Sequence, residues 1–159
     1  MTTLLNVLTN VAVVEGQIIR TELVTTNILN GWNEYADLLL LASMAQARAA
    51  PADARKDFEK AVAMWDGEGF KDQAAKHSGI YATYKLALYL IAAARLNILP
   101  PHRDEVIARL LAMQSPDGGW KTDYKEGKPV GLANVETTSL SVLALRTLSK
   151  PGATGSRHE

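Results

Sequence analysis

The chain reads Met-Gln-Ser-Pro-Asp-Gly-Gly-Trp at residues 113–120, and a related sequence, Met-Trp-Asp-Gly-Glu-Gly-Phe, occupies residues 64–70. A shorter version, Asn-Gly-Trp, occurs at residues 30–32. Each copy ends an amphipathic stretch and precedes a strongly apolar one. Because a period of roughly fifty residues is typical of stacked supersecondary units, the spacing predicts a protein built from repeated helical hairpins.

The stretches between these loops have apolar residues at helical spacing, which predicts six helices. The first covers about residues 3–25, with an apolar stripe that includes Val7, Val11 and Ile18. The others are expected at about residues 32–48, from Pro51, at about residues 79–97, after Pro100 and Pro101, and at about residues 133–148. Residues 121–130 alternate in polarity but are interpreted as a loop.

The six helices differ in the distribution of their apolar residues. The third and fifth have one polar face, whereas the second, fourth and sixth are apolar on every face. A helix without a polar face is normally covered on all sides, so the pattern predicts inner apolar helices and outer amphipathic helices. We therefore expect an all-α fold of three α-hairpins. It would form a single domain of residues 1–150, followed by a polar tail at residues 151–159.

The composition excludes several kinds of partner and site. Lys and Arg number 17, as do Asp and Glu, so the formal net charge is zero. A neutral chain without a basic cluster argues against nucleic acid and against an anionic membrane surface. The absence of Cys excludes disulfides, thiolate zinc sites and a cysteine nucleophile. Asp66, Glu68 and Asp72 form an incomplete calcium-loop pattern, interpreted as a solvated turn, so no metal and no cofactor are expected.

The sequence contains no recognisable signal for export or membrane insertion. The residues up to Val14 carry no charged side chain, so the basic region of a secretory signal is missing. Apolar runs such as residues 38–42 are far shorter than the roughly 20 residues of a spanning helix. We expect a soluble protein without a membrane span, and the sequence leaves its compartment open.

The glycine–aromatic loops resemble those of the α/α-toroid superfamily. This superfamily includes class II terpene cyclases, protein prenyltransferase β subunits and complement-type thioester domains. Residues 114–120 are similar to the Gln–Trp repeat of squalene-type cyclases; in residues 64–70, Trp65 replaces the Gln and Phe70 replaces the Trp. The resemblance implies a half-ring of three hairpins, with a Gln amide that stacks on the aromatic ring and caps an inner helix. The structural-motif residues that it implies are Gln114, Asp117, Gly118, Gly119, Trp120, Gly67, Gly69 and Phe70.

The catalytic motifs of these relatives do not occur in the chain. The cyclases use an Asp-x-Asp-Asp run, the prenyltransferases bind zinc with Asp, Cys and His, and the thioester domains need a Cys followed closely by Gln. None of these sets is present. The resemblance therefore implies the fold of the superfamily and carries over none of its activities.

A candidate site lies where the inner helices begin, because each starts with polar or aromatic residues. Asp37 and Glu136 could act as acid and base, as in glycan-cleaving enzymes on α/α barrels. Candidate ligand-binding residues are Tyr35, Tyr81, Tyr84, Asn134 and Thr137. A structural interpretation stays open, in which Asn134 caps a helix, the Thr hydroxyls bond within the helix and the tyrosines fill the core.

Two functions from different classes follow. The first is a non-catalytic toroid-like repeat module for assembly or for binding a partner or ligand. The alternative is a fragment, or a self-completing half, of a terpene-cyclase-like or glycan-active α/α-barrel enzyme. A half-ring would expose apolar helices at residues 38–41 and 140–145, and soluble monomers rarely expose such patches. We therefore expect a homodimer, or cover from the remainder of a longer chain.

Overall fold

The structure is a computed structural model that describes residues 5–14, 17–25 and 30–148. The predicted polar tail, residues 151–159, lies outside the described residues. Contacts divide the chain into two compact units, Met1–Trp32 and Asn33–Glu159.

The first unit contains an antiparallel β-hairpin, so the prediction of a helix at residues 3–25 is wrong. Strand β1, Leu5–Val14, pairs with strand β2, Gln17–Thr25, with an irregularity in register between Leu8 and Asn10. Both strands are rich in Val, Ile and Thr, whose branched side chains favour strands. Every second residue of β1 from Leu5 to Val13 is also apolar or β-branched. Several apolar residues fit both the helical spacing and this alternation. The strand that the alternation predicts is the element that forms.

The second unit contains all five α-helices of the described residues, preceded by a 3-10 turn at Trp32–Glu34. The helices are α1 (Ala36–Gln46), α2 (Pro51–Val62), α3 (Thr83–Arg95), α4 (Arg103–Ala112) and α5 (Val135–Leu148). Three strands form an antiparallel sheet in the order β3 (Tyr81–Ala82), β4 (Lys121–Lys125) and β5 (Lys128–Ala133).

Helix α3 is the centre of the second unit. It contacts α1 on one side and α5 on the other, while α2 packs against α1 and α4 packs against α3. Its side chains from Leu86 to Leu90 are all buried, as expected for a helix that is apolar all round. By contrast, α2 starts with Pro51, whose missing N–H is tolerated at a first helical position, and buries only one face.

The three-stranded sheet occupies a segment that we predicted to be a loop. Strands β4 and β5 are joined by Glu126 and Gly127, with φ angles of 50° and 70°. Two consecutive residues of positive φ form the type I′ turn that matches the twist of a tight hairpin. The prediction of a loop at residues 121–130 is therefore wrong, because the alternation in polarity of this segment belongs to a pair of strands.

These strands also overturn the predicted fold class. The chain is a mixed α/β protein with two β-structures, and the all-α half-ring of three α-hairpins is wrong. In the described residues, α1 is followed in sequence by α2, which packs against it, and α3 is followed in the same way by α4. No helix of the described residues follows α5. The expectation that the sixth predicted helix, here α5, is covered on all sides also fails, because Val142 and Leu143 are exposed.

Candidate functional site

A buried polar cluster lies between the starts of α1 and α3. We call it the Lys85 cluster; it consists of Asp37, Asp72, Tyr84 and Lys85. The Lys85 side chain is 5% exposed and its ammonium group donates to Asp72, whose side chain is 0% exposed. A buried charge without a partner would cost several kcal/mol, so Asp72 is the group that allows a lysine in this position.

Asp72 also holds the first turn of α1 in place. Its Oδ2 atom accepts a hydrogen bond of 2.9 Å from the backbone N–H of Ala36. Its Oδ1 atom accepts bonds of 3.1 and 3.3 Å from the N–H groups of Ala74 and Ala75. The first N–H groups of a helix lack partners within the helix, and a carboxylate next to them is also favoured by the helix dipole. Asp72 therefore caps α1 from a distant point in the sequence.

Asp37 and Tyr84 connect the same two helices at the edge of the cluster. The Tyr84 hydroxyl donates to Asp37 Oδ2 at 2.7 Å. Asp37 Oδ1 has no hydrogen-bond donor among the described residues, but it lies 3.8 Å from Lys85 Nζ, within ion-pair distance. Burial, the hydrogen bond to Asp37 and nearby carboxylates that include Glu136 all raise the pKa of Tyr84. The phenol therefore remains a hydrogen-bond donor, and the cluster satisfies its own charges.

The structure brings together only some of the predicted ligand-binding and catalytic residues. Asp37 and Tyr84 share the Lys85 cluster, and Glu136 is close enough to Tyr84 to affect its pKa. Tyr35 is the N-cap residue of α1. Tyr81 lies elsewhere, on strand β3.

Asn134 and Thr137 are placed at the start of α5. Asn134 Oδ1 accepts a bond of 2.7 Å from the N–H of Thr137, and the Thr137 carbonyl accepts a bond from the Ser141 hydroxyl. Both residues therefore make the local bonds of a helix start.

Sequence reasoning missed Lys85 and interpreted Asp72 as part of a solvated turn, which is wrong, because the Asp72 side chain is 0% exposed. Lys85 is the only charged residue between Lys76 and Arg95. A single charge within a helix that is otherwise apolar implies a buried partner, and this signal could have identified Lys85. Asp72 could not be found in this way, since it lies in a polar loop.

The two glycine–aromatic loops share a pattern of backbone bonding, although the second is one residue longer. The carbonyl of Met64 accepts from the N–H of Lys71 at 2.8 Å, and the carbonyl of Met113 accepts from the N–H of Lys121 at 3.1 Å. Inside each loop an isolated antiparallel β-bridge joins the residues that flank the turn. It pairs Trp65 with Phe70 in one loop and Gln114 with Trp120 in the other. Each turn contains one glycine of strongly positive φ, Gly67 at 94° and Gly118 at 92°. Only glycine adopts this conformation without strain.

Trp120 connects the end of α4 to the start of α5. Its ring is buried, its Nε1–H donates to the carbonyl of Leu110 at 2.8 Å, and its backbone N–H donates to Thr138 Oγ1 at 3.0 Å. A Cβ atom on Gly119 would lie only 2.8 Å from the side chain of Ala133, so this position requires glycine. Gln114 is exposed, and its amide donates to the carbonyl of Gly118 at 3.2 Å. The loop is thus organised as a brace between elements.

The remaining motif residues lie within the same two loops. Phe70 is buried and contacts Tyr89 of α3, with 5.5 Å between ring centroids. Gly69 leaves no space for a side chain, because a Cβ atom there would overlap the rings of Tyr81 and Tyr124. Asp117 is exposed and accepts from the N–H of Gly119 at 3.4 Å.

Tyr81 belongs to a second polar group, around Asp66. Its hydroxyl donates to Asp66 Oδ2 at 2.6 Å, while its ring stacks on Tyr124 with 5.4 Å between ring centroids. Asp66 Oδ1 also accepts from the N–H groups of Glu68 and Gly69, each at 3.0 Å. Burial acts to raise the pKa of Asp66, but the hydrogen bonds from Tyr81, Gly69 and Glu68 and the charge of Lys71 outweigh it and lower the pKa.

The hydrogen bond between Tyr81 and Asp66 predicts a pH-dependent effect. We expect Tyr81→Phe to reduce the free energy of unfolding by about 1 kcal/mol at neutral pH, where Asp66 is charged. A carboxyl whose pKa is lowered by folding stabilises the protein above its unfolded pKa, and this contribution is lost as the pH falls through the folded pKa. The difference between the proteins should therefore narrow below about pH 4. Urea unfolding at several pH values measures this difference in the free energy of unfolding. Tyr35→Phe, at a hydroxyl with no hydrogen bond among the described residues, should show no such trend.

An exposed apolar surface on α5 contrasts with the satisfied polar groups. We call it the α5 outer face; its exposed residues are Val135, Glu136, Ser139, Val142, Leu143 and Arg146. Val135 is 83% exposed and Leu143 is 49% exposed. The face turned towards the protein is buried at Thr137, Ser141 and Ala144.

Helix α5 exposes more apolar surface than an ordinary surface helix does, while its remaining leucines, Leu140, Leu145 and Leu148, are partly buried. A surface helix normally buries its bulky apolar residues and exposes its polar ones. Here the buried residues are small or carry hydroxyl groups, whereas two valines and a leucine face solvent. Strand β5, the edge strand of the sheet, also presents an exposed apolar residue, Leu132, which is 78% exposed.

Other kinds of site find no support in the described part of the chain. No group of three or more His, Asp or Glu side chains there is arranged to hold a metal ion. None of its helices is long and apolar enough to cross a membrane. The chain matches no protein-family model, no curated protein and no solved structure.

Proposed function

We propose that this chain is a non-catalytic assembly module that associates with a second copy of itself through the α5 outer face. The observation that carries the proposal is the apolar part of the α5 outer face, where Val135, Val142 and Leu143 are exposed. Burial of apolar surface stabilises an interface by about 25 cal/mol per Å². A second copy would supply an identical apolar surface, and twofold homodimers are the commonest oligomers.

The state of the Lys85 cluster supports a non-catalytic role. An acid or base in catalysis needs a group that can exchange a proton with a substrate. Asp37 is instead paired with Tyr84 and Lys85, and Asp72 accepts four bonds from protein groups. These contacts tie α1 to α3, so the cluster stabilises the fold on which the α5 outer face is presented.

A single substitution on the α5 outer face tests the proposal. We expect Leu143→Glu to weaken dimerisation about a hundredfold, because a buried leucine contributes about 1.5–3 kcal/mol and the variant introduces a charge into the interface. Sedimentation over a range of concentrations measures the dissociation constant. Circular dichroism should show an unchanged fold, since Leu143 is half exposed in the single chain.

Helix α4 offers a matched control. Leu111 is 48% exposed, against 49% for Leu143, and lies outside the α5 outer face. Leu111→Glu should therefore dimerise like the unmodified protein. A protein that is monomeric at every concentration would contradict the proposal, as would an equal loss of dimer in the two variants.

A further inference from the structure

The α5 outer face carries two opposite charges, one near each end of its apolar centre. Glu136 lies in the first turn and Arg146 in the last. Both are exposed, and neither forms an ion pair within the described part of the chain. At 1.5 Å per residue they are separated by roughly 15 Å along the helix axis. Val142 and Leu143 lie between them.

We infer that the two copies pack with their α5 helices antiparallel, so that Glu136 of each copy faces Arg146 of the other. This inference rests on the proposed function and specifies its geometry. The twofold axis would pass at the level of Ser141, midway between the two charges in the sequence. Two ion pairs then flank the apolar centre. A parallel arrangement would instead place like charges opposite each other, which disfavours the complex.

The same axis gives complementary shapes along the interface. With the axis at the level of Ser141, Ser139 of one copy lies opposite Leu143 of the other. By symmetry, Leu143 of the first copy lies opposite Ser139 of the second. A small side chain opposite a large one allows two helices to interdigitate. Charge and side-chain size thus favour the same register.

Charge reversal tests the orientation. We expect Glu136→Arg alone to weaken dimerisation roughly tenfold or more, because both facing pairs become repulsive, and Arg146→Glu alone to do the same. Combining the two substitutions in one chain should restore dimerisation, since each positive charge again faces a negative one. In a parallel dimer neither single variant would lose affinity, because its facing charges would be as repulsive as before.

Disulfide trapping tests the register independently, and the chain is suited to it because it contains no Cys. Antiparallel pairing about Ser141 leaves the two copies of position 142 offset by about 3 Å along the axis, but the two copies of position 135 by about 18 Å. We therefore expect Val142→Cys to form a cross-linked dimer under mild oxidation and Val135→Cys to remain largely uncross-linked. A disulfide cannot bridge the longer separation.

The outcomes separate this inference from the proposed function. If the unmodified protein is monomeric, the proposed function and the inference both fail. If it dimerises and Leu143→Glu disrupts the dimer, but position 135 cross-links as readily as position 142, the assembly role stands and the antiparallel arrangement is overturned. Failure of the charge-reversed double variant to recover affinity would also overturn the arrangement, provided that circular dichroism shows it to be folded.

Discussion

Replacing Asp72 with alanine is expected to reduce the free energy of unfolding by about 3–5 kcal/mol, because the buried Lys85 ammonium loses its hydrogen-bonded partner and keeps only Asp37, at 3.8 Å. The substitution also removes the acceptor for the N–H of Ala36 at the start of α1, and the acceptor shared by Ala74 and Ala75. Unfolded backbone groups bond to water, whereas the buried N–H of Ala36 would have no replacement; the N–H of Ala75 would keep its bond to the backbone carbonyl of residue 72. Chemical unfolding monitored by circular dichroism measures the loss.

The control for Asp72 is an exposed ion pair of the same chemical type. Asp53 and Lys56 are one helical turn apart on α2, 3.9 Å from each other, with both side chains well exposed. Asp53→Ala should change the free energy of unfolding by less than about 1 kcal/mol, as is usual for surface pairs. A similarly small loss for Asp72→Ala would mean that Lys85 reaches solvent in the folded protein, and the cluster would then have no role in holding α1 against α3.

Replacing Trp120 with alanine is expected to reduce the free energy of unfolding by a comparable 3–5 kcal/mol or so, the usual cost of deleting a buried aromatic side chain. The ring fills space between the end of α4 and the start of α5, and its Nε1–H satisfies the carbonyl of Leu110. Trp120→Phe keeps an aromatic ring but removes the donor. It should cost less, about 1–3 kcal/mol, through the lost hydrogen bond and the smaller ring, since the Leu110 carbonyl keeps its bond from the N–H of Met113. Thermal and urea unfolding of the three proteins measure the series.

Gln114 provides the contrast within the same loop. Its side chain is exposed and makes one hydrogen bond to the carbonyl of Gly118. Gln114→Ala should therefore change the free energy of unfolding by no more than about 0.5 kcal/mol. A large loss on Gln114→Ala would show that the amide acts as a brace, as the resemblance to the Gln–Trp repeat implies. A small loss on Trp120→Ala would contradict the role assigned to the ring.

The helices of the second unit could be located from the sequence because their apolar residues follow a 3.6-residue period. The strands were missed for two different reasons. In β1, apolar residues satisfy both periods over part of their length, and the branched side chains were the better guide. In β4 and β5, the strands are short and charged, and the Glu126–Gly127 turn was the signal that should have identified a hairpin.

The positions of single side chains in the candidate site could likewise be predicted only in part from the sequence. Asp37, Tyr84 and Glu136 were singled out because they begin helices that we expected to lie side by side, and the structure brings them near one another. Tyr81 was grouped with them by its position in the sequence, yet β3 directs it to Asp66. In a helix, the side chain of residue 81 would lie about one hundred degrees around the axis from that of its neighbour. In a strand, successive side chains point to opposite faces of the sheet.

Local periodicity, backbone freedom and residue type were enough to predict the five helices of the second unit, the paired glycine–aromatic loops and the absence of cysteine chemistry. The pairing of Asp72 with Lys85 and the exposure of Val142 and Leu143 on α5 followed from the tertiary structure alone. Both results depend on which helix faces are covered by distant parts of the chain. An apolar stripe has the same pattern whether a neighbouring helix or a second molecule covers it, so the surface proposed for assembly could be located only from the packing of α5 on α3.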